Sequence, residues 1–326
     1  MSWKYTRALA AIALLLVAVA SLSYYAAGLS QQEAVRITVI IKSDAASSEF
    51  WQVLIDGVYE AAEEFGVQLQ VTGSRSETDV EAQIALVEQA IEEQPDAIVL
   101  AANDFDRLVP AADRARASGI KLIIVDSGIN SDAPHSVVAT DNVIAGRKAG
   151  EAMEQELARP ASIVILSYVK NAASHIDREK GVRAVLEEMP ENRVEAYYVE
   201  GSEENAYLKA LEILKSDQAV VGIIGLNEPT TVGAGRAIQE LGLKERVVLI
   251  GFDSSVNEIK LLDEGAMKAT VIQRPFQMGY LSVKTALEAV QGKKVPDTID
   301  TGSLLITKQN MYEEENQKLL FPFVND

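Results

Sequence analysis

Hydrogen-bonding and aromatic side chains recur at, or shortly after, the C-terminal ends of short apolar runs that have the composition of β-strands. These residues are Ser48, Phe50, Trp51, Asp126, Ser127, Asn227, Asp253 and Gln273. In open parallel sheets, ligands bind outside the carboxyl ends of the strands, so these strand ends predict a single lining. Carboxylates and amides exchange hydrogen bonds with hydroxyl groups, and aromatic rings pack on C–H surfaces. The lining therefore suits a small, neutral molecule rich in hydroxyl groups.

A structural role is also open to several of these residues. Asp126 and Asp253 are suited to capping the helix that follows a strand. Phe50 and Trp51 are adjacent at the start of a predicted helix, where neighbours point about 100° apart, so both could pack into the core. Gln273 lies just before an Arg-Pro pair whose arginine must be extended, which leaves a purely hinge role open to it.

The elements that must position these residues alternate regularly between strand and helix. The predicted strands cover 36–42, 67–72, 96–102, 121–126, 161–167, 194–199, 219–225, 247–252 and 268–273. The predicted helices cover 49–65, 78–93, 105–118, 142–157, 175–188, 204–216, 229–241, 255–264 and 276–291. Such alternation indicates parallel sheets with right-handed crossovers. These strand–helix units exceed the usual width of one sheet, so we expect two sheets.

Local signals agree with these helix ends. The segment Thr78-Asp79-Val80-Glu81 has the pattern of a capping box at a helix N-terminus. Gly66, Gly119 and Gly242 lie where C′ glycines end helices. The tail after Ile306 is expected to form a short closing segment.

Composition excludes several classes of site. The chain has 326 residues, a net charge of −18 and no cysteine. Nucleic-acid affinity depends on Lys and Arg neutralising phosphates, so this acidic chain is not expected to bind nucleic acid. Without Cys there are no disulfides, thiolate nucleophiles or Cys-ligated metals. His135 and His175 lack metal-ligand spacing and are interpreted as surface or packed residues, so no metal or cofactor is expected.

The first 34 residues have the pattern of an export segment. Lys4 and Arg7 precede an apolar, charge-free run over residues 8–29. Two outcomes stay open: cleavage after Gly28 as a signal peptide, or retention as a membrane anchor, since about 20 apolar residues span a bilayer. The pattern predicts an extracytoplasmic location for the rest of the chain, in the periplasm or on the outer face of the cell membrane.

Seven segments carry a resemblance to a known family and follow its order through nearly the whole body of the chain. They are SSEFWQVLIDG (47–57), VDSG (125–128), ATDNVIAGRKAGE (139–151), HIDREKGVRAV (175–185), GLNEPTTVGAGRAI (225–238), IGFDSS (250–255) and ATVIQRPFQMG (269–279). With these segments the chain resembles the periplasmic sugar-binding proteins of ABC importers, of the ribose-binding-protein type. The resemblance implies an α/β fold of two Rossmann-like lobes, each a parallel sheet flanked by helices, joined by a three-segment hinge (the type I periplasmic binding protein fold). It implies a first lobe of residues 35–140 plus 274–300 and a second lobe of residues 141–273 plus 301–326.

By position, the resemblance also implies roles for individual residues. It implies that Phe50 and Trp51 are the stacking pair and that Asp126 is the hydroxyl-binding acid. It also implies that Arg178 is the second-lobe arginine, Asn227 the amide, Asp253 the second acid and Gln273 the hinge glutamine. Apart from the resemblance, Arg178 could merely pair with Glu179 on a helix surface. Two positions depart from the ribose binders: Ser127 stands where they carry Arg, and the region that should supply a second-lobe aromatic offers only Tyr207.

The resemblance implies an extracytoplasmic solute-binding protein that captures a monosaccharide or similar polyol and presents it to an ABC sugar importer. The alternative is a membrane-anchored sugar sensor that signals its closed conformation to a histidine kinase. A transcription regulator of the LacI type shares the fold but needs a basic helix-turn-helix, whereas this N-terminus is apolar. Asp126 and Asp253 could resemble a glycosidase pair, but the family carries out no chemistry, so we do not expect an enzyme.

Overall fold

The computed structural model describes residues 13, 16–19, 21, 34–43, 48–158 and 160–321. The body of the chain, Arg36–Asp326, forms one compact unit, and Met1–Val35 forms another. Most of the predicted export segment lies outside the described residues; within it, residues 13, 16–19 and 21 are helical. Within the described ranges, no helix combines the length and apolar character needed to cross a membrane.

Twelve strands and ten helices of the body are described. The strands are β1 (Arg36–Ile41), β2 (Gln68–Gly73), β3 (Ala97–Leu100), β4 (Lys121–Val125), β5 (Ser136–Ala139), β6 (Ser162–Ser167), β7 (Arg193–Tyr198), β8 (Val220–Gly225), β9 (Val248–Phe252), β10 (Ala269–Ile272), β11 (Thr298–Asp300) and β12 (Leu304–Thr307). The helices are α1 (Glu49–Phe65), α2 (Val80–Glu93), α3 (Val109–Ala117), α4 (Asn142–Glu156), α5 (Ala173–Leu186), α6 (Glu203–Ser216), α7 (Glu228–Glu240), α8 (Val256–Asp263), α9 (Pro275–Val290) and α10 (Glu314–Leu320).

The strands form two sheets of six. The first has the order β11-β5-β4-β3-β1-β2, and the second has the order β12-β10-β9-β8-β6-β7. All neighbours pair in parallel except β10 and β12, which are antiparallel. The central strands are continuous apolar runs and are buried, as expected for sheets covered by helices on both faces.

Each sheet and the helices that pack on it form one lobe. Helices α1, α2, α3 and α9 pack on the first sheet; α4, α5 and α7 pack on the second, and α6 and α8 pack against α7. Helix α10 joins the second lobe, because Leu320 is buried in its core. The chain passes between the sheets after β5, after β10 and between β11 and β12. The predicted fold class, two Rossmann-like lobes with three connections, is confirmed.

All the predicted strands and helices are present, with small shifts of their ends. The sequence analysis did not predict β5, β11, β12 and α10 as elements. Each is short, and β11 and β12 lie at sheet edges, where a few residues carry little periodicity. The predicted capping box at Thr78 is wrong, because Asp79 caps α2 and its side chain accepts a hydrogen bond from the Ala82 N–H. Gly66 does end α1 in the left-handed conformation, with φ 64°.

Glycines allow helices in both lobes to pack backbone against backbone. In the second lobe, a Cβ added to Gly146 of α4 would overlap the carbonyl oxygen of Arg178 on α5, and one added to Gly181 of α5 would overlap that of Val143. In the first lobe, a Cβ on Gly279 of α9 would overlap the Leu54 carbonyl of α1. The close contact between α4 and α5 therefore fixes the position of Arg178, on α5, relative to α4.

Candidate functional site

A cavity of about 90 Å³ lies between the lobes, at the carboxyl ends of their strands. About 10–15 Å³ of such space holds one water molecule, so the cavity fits a small ligand. Eight of the nine predicted site residues line it, namely Ser48, Phe50, Trp51, Asp126, Arg178, Asn227, Asp253 and Gln273. The ninth, Ser127, is buried beside the cavity, where its Oγ accepts a 3.4 Å hydrogen bond from the Ser174 N–H.

The aromatic pair lies on the first turn of α1. The rings of Phe50 and Trp51 meet edge to face, with centroids 5.0 Å apart and planes at 89°. Trp51 is buried and its Nε1 donates to Glu77 Oε1 at 3.4 Å, whereas Phe50 is half-buried. Both rings border the cavity, so the core-packing alternative describes Trp51 in part, and Phe50 retains surface for a ligand.

Asp126 follows β4 in a left-handed backbone conformation, with φ 62°. Its Oδ2 lies 2.7 Å from Nζ of Lys42, and both side chains are only 4% exposed. It caps no described helix, so the capping alternative does not apply. The positive charge beside this acid comes from the end of β1, which offsets the lack of an arginine at Ser127.

Asp253 follows β9 and also has a left-handed backbone, with φ 79°. Its Oδ1 accepts from Gln273 Nε2 at 2.7 Å, and its Oδ2 accepts from the Glu228 N–H at 3.1 Å. Ser255, not Asp253, caps the following helix. Gln273 is buried, and its Oε1 has no partner among the described residues, so this acceptor is open to a ligand donor.

Arg178 is buried and does not pair with Glu179, whose carboxylate instead contacts Arg183. Its Nε donates to Asn142 Oδ1 at 2.8 Å and its Nη1 donates to the Leu226 carbonyl at 2.7 Å. The guanidinium also lies 4.6 Å from the ring centroid of Phe252. These contacts fix the orientation of the Arg178 guanidinium at the cavity wall.

Asn227 caps α7 and forms a capping box with Thr230. Its Oδ1 accepts from the Thr230 N–H at 3.3 Å and from the Thr230 hydroxyl at 2.8 Å. The cap therefore uses the oxygen of this amide and orients the side chain at the cavity wall, while the NH₂ group remains the donor for a ligand.

Sequence reasoning missed eight residues that line the cavity: Lys42, Ser43, Glu77, Tyr168, Ser174, His175, Glu228 and Pro229. Lys42 and Tyr168 directly follow strands β1 and β6, so the strand-end rule could have found both. Tyr168 is the second-lobe aromatic, and the candidate Tyr207 was wrong. The hydroxyl of Tyr207 bonds Glu240 and its ring stacks on Arg236, outside the cavity.

Burial shifts the pKa of several of these groups. It raises the pKa of Glu77, an effect that nearby Lys42 partly offsets. Burial and the charge of Asp253 raise the pKa of Glu228 to about 7. His175 is packed, as predicted, and burial beside Lys42 and Arg178 holds its pKa well below the usual value. His175 is therefore neutral at pH 7.

Other hollows lie outside this cavity. One of about 340 Å³ adjoins it and shares Phe50, Glu228, Asp253 and Gln273 with it. A larger one of about 750 Å³ lies on the outer face of α5, among exposed charged side chains, and includes none of the strand-end residues. No group of His, Asp and Glu within the described ranges could hold a metal ion.

Several hydrogen bonds join the lobes around the cavity. Lys42 Nζ donates to Ser174 Oγ at 3.2 Å, and Ser48 Oγ donates to Glu228 Oε2 at 3.1 Å. At the rim, the Phe105 N–H donates to the carbonyl of Asn171 at 2.8 Å. The structure therefore has the two lobes closed on each other.

The family described as periplasmic binding protein domain matches residues 37–294. The chain belongs to this family. As a periplasmic binding protein, it is 24% identical to the ribose import binding protein RbsB of Haemophilus influenzae, over 83% of this chain and 91% of that one.

Two solved structures resemble this periplasmic binding protein closely. A carbohydrate transporter solute-binding protein from Agrobacterium radiobacter, in complex with D-arabinose, has a TM-score of 0.84 and 31% identity, and the match covers 89% of this chain and all of that one. An ABC transporter solute-binding protein from Agrobacterium vitis, with bound D-fucose, has a TM-score of 0.83 and 34% identity, covering 87% and 99% of the two chains.

Proposed function

We propose that this chain is an extracytoplasmic solute-binding protein that captures a monosaccharide or similar polyol between its lobes and presents it to an ABC sugar importer. The observation that carries the proposal is the interlobe cavity, where carboxylates, amides and a guanidinium converge beside two aromatic rings. The names of the related proteins support the class of ligand and the importer as partner. The sensor alternative receives no such support.

The site residues suggest how capture works. In an open form, a sugar meets the first lobe, where Phe50 covers a C–H face and Asp126 accepts hydrogen bonds from hydroxyls. Closure then adds Arg178, Asn227 and Asp253 from the second lobe. Charge-assisted hydrogen bonds from the protein replace the hydrogen bonds between the sugar and water. The permease then recognises the closed conformation. The ligand is bound and released unchanged in this mechanism.

The two predicted lobes, 35–140 plus 274–300 and 141–273 plus 301–326, serve as the rigid bodies of this motion. Gln273 lies where the chain passes from β10 to α9, so its hydrogen bond to Asp253 ties a hinge segment to the ligand site. We therefore assign Gln273 both roles, hinge and ligand contact.

Ligand-induced stabilisation tests the proposal. Thermal unfolding of the full chain is followed with D-ribose, D-allose, D-arabinose, D-fucose, D-galactose, D-glucose and myo-inositol. We expect at least one sugar to raise the midpoint with a micromolar dissociation constant, which corresponds to roughly −8 kcal/mol. Failure of every sugar and polyol to stabilise the chain would contradict the proposal.

Asp253→Asn then tests the site itself. Asn tolerates the left-handed backbone that Asp253 adopts, so the fold is retained while the carboxylate is lost. We expect the sugar-dependent shift to disappear. Asp297→Asn, at an exposed position of the first lobe, removes the same charge and should leave the shift unchanged.

A further inference from the structure

The charged groups of the cavity wall do not balance. Two cationic side chains, Lys42 and Arg178, face four carboxyl groups, those of Glu77, Asp126, Glu228 and Asp253. Lys42 is already paired with Asp126. Arg178 donates its described hydrogen bonds to neutral oxygens, those of the Asn142 side chain and the Leu226 carbonyl. The carboxyl groups of the cavity wall therefore outnumber its cationic groups by two.

Two of the four acids have little to hold their charge. Glu77 Oε1 accepts a long hydrogen bond, 3.4 Å, from Trp51 Nε1, and Glu228 Oε2 accepts from Ser48 Oγ at 3.1 Å. Among the described residues, neither acid forms an ion pair. Asp253 differs, because a backbone N–H and the Gln273 amide both donate to it.

The charged groups that act on Glu228 are acidic, whereas the hydroxyls of Ser48 and Ser255 lower its pKa. Asp253 and Glu49 both act on it from nearby, and Glu228 in turn acts on buried Glu258 and on Tyr168. Arg274 and Lys318 line the adjoining hollow but not this cavity, and Lys318 already contacts Glu314 and Glu315.

A separate observation shows an open hydrogen-bond acceptor in the site. Gln273 is 6% exposed, lines the cavity and leaves its Oε1 buried without a partner in the described part of the chain. An acceptor in that position is open to a hydrogen-bond donor from the ligand.

We propose that the cavity selects a sugar that carries a protonated amino group, and that Glu77 and Glu228 bind this ammonium. The inference rests on the proposed function and specifies its ligand class. An ammonium supplies three donors and a positive charge, whereas a hydroxyl supplies one donor and no charge. Buried charges are otherwise costly unless they are paired, and the raised pKa of both glutamates agrees with carboxyls that lack a partner.

Calorimetric titration of the full chain tests the inference. The probes are the 2-amino, 3-amino and 6-amino deoxy derivatives of D-glucose and D-galactose, each compared with its parent sugar and with its N-acetyl form, which is neutral. We expect one amino sugar to bind about 10- to 100-fold more tightly than its parent, the range of a hydrogen bond to a charged group. Neutral sugars that bind as well as every amine would overturn the inference and leave the proposed function standing. Binding of neither class would overturn both.

The pH dependence has opposite signs for the two ligand classes. An ammonium favours ionised Glu228, so its affinity should fall about tenfold between pH 7.5 and pH 5.5 as that carboxyl takes up a proton. A neutral sugar buries the carboxyl without pairing it, so its affinity should rise over the same interval. Tighter binding of the amino sugar at pH 5.5 would overturn the inference.

The variant Glu228→Gln separates charge from shape. Gln keeps a side-chain oxygen that can accept from Ser48 but removes the negative charge. Because that charge is what attracts the ammonium, we expect the ratio of amino-sugar to parent-sugar affinity to fall at least tenfold. Glu77→Gln should act in the same direction. Glu240→Gln, at the far end of the same helix, changes the net charge equally and should keep the wild-type ratio. A wild-type ratio in both cavity variants would overturn the assignment.

Discussion

Asp126 and Asp253 occupy equivalent places in the two lobes. Each follows the strand that lies third in its sheet, β4 or β9, and each has a left-handed backbone. Non-glycine residues adopt this conformation at some energetic cost, and such residues concentrate where function requires a particular side-chain direction. The shared geometry aims both carboxylates into the cavity instead of along the following helix.

The pair Lys42–Asp126 makes a clear prediction for stability. Lys42→Met leaves the Asp126 carboxylate buried without a counter-charge, so the free energy of unfolding should fall by about 3–5 kcal/mol. Urea unfolding at pH 7 measures it. The double variant Lys42→Met with Asp126→Asn removes both charges and should recover most of the loss. A loss below 1 kcal/mol in the single variant would show that solvent or another group already screens the acid.

Glu228 predicts how stability depends on pH in the absence of ligand. Because its pKa rises to about 7 in the folded state, the folded chain holds more protons than the unfolded chain between about pH 4.5 and 7. Stability from this group is therefore complete at low pH and is lost as the pH rises through 7. Between pH 5.5 and 7.5 we expect a loss of about 2 kcal/mol that is absent in Glu228→Gln. Identical pH profiles of unfolding would contradict the assignment.

At this scale, the strand-end rule predicted seven of the sixteen residues that line the cavity, because a parallel sheet brings its carboxyl ends to one edge. It could not predict the acids Glu77 and Glu228. Glu77 lies in the loop before α2 and Glu228 is the first residue of α7, and charged residues in such places are usually solvated. Both are half-buried in the cavity between the lobes, and that packing is not encoded in any local pattern.

At the scale of elements, glycines decide how closely α4 and α5 approach. Gly146→Ala should push α5 away, since the new methyl group would overlap the Arg178 carbonyl. Overpacking of this kind costs about 1–3 kcal/mol, and we expect weaker sugar binding as Arg178 moves. Urea unfolding and calorimetry measure the two effects.

Gly128→Ala is the matched control for that substitution. Its added Cβ would lie 3.8 Å from the Cβ of Ala173, an ordinary contact, so stability should change little. Equal stability of the two variants would mean that α4 and α5 can separate freely. The glycines were visible in the sequence, but their purpose was not, because a helix glycine looks the same in a tight crossing and on an exposed face.

At the scale of the whole molecule, the closed state depends on contacts at the rim as well as in the cavity. Asn171 Nδ2 donates to Asp104 Oδ2 at 3.3 Å across the lobes. Asn171→Ala should speed sugar release and weaken affinity by about three- to tenfold, the value of one hydrogen bond. Stopped-flow dissociation measures the rate. Lys170→Ala in the same loop should release sugar at the wild-type rate, and equal rates for both variants would remove Asn171 from the closing contacts.

The three connections between the sheets have a consequence for synthesis. Strand β5 can pair with its outer neighbour β11 only after residues 298–300 have been synthesised. The apolar face of α1 is likewise covered only after α9 has been synthesised. A growing chain that has completed residues 36–139 therefore presents an unpaired strand edge and an uncovered helix, both of which promote aggregation. Expressing the two halves of the chain separately would leave the β5 edge and the apolar face of α1 exposed in the same way. Neither half is therefore expected to be obtained as a stable, separate protein.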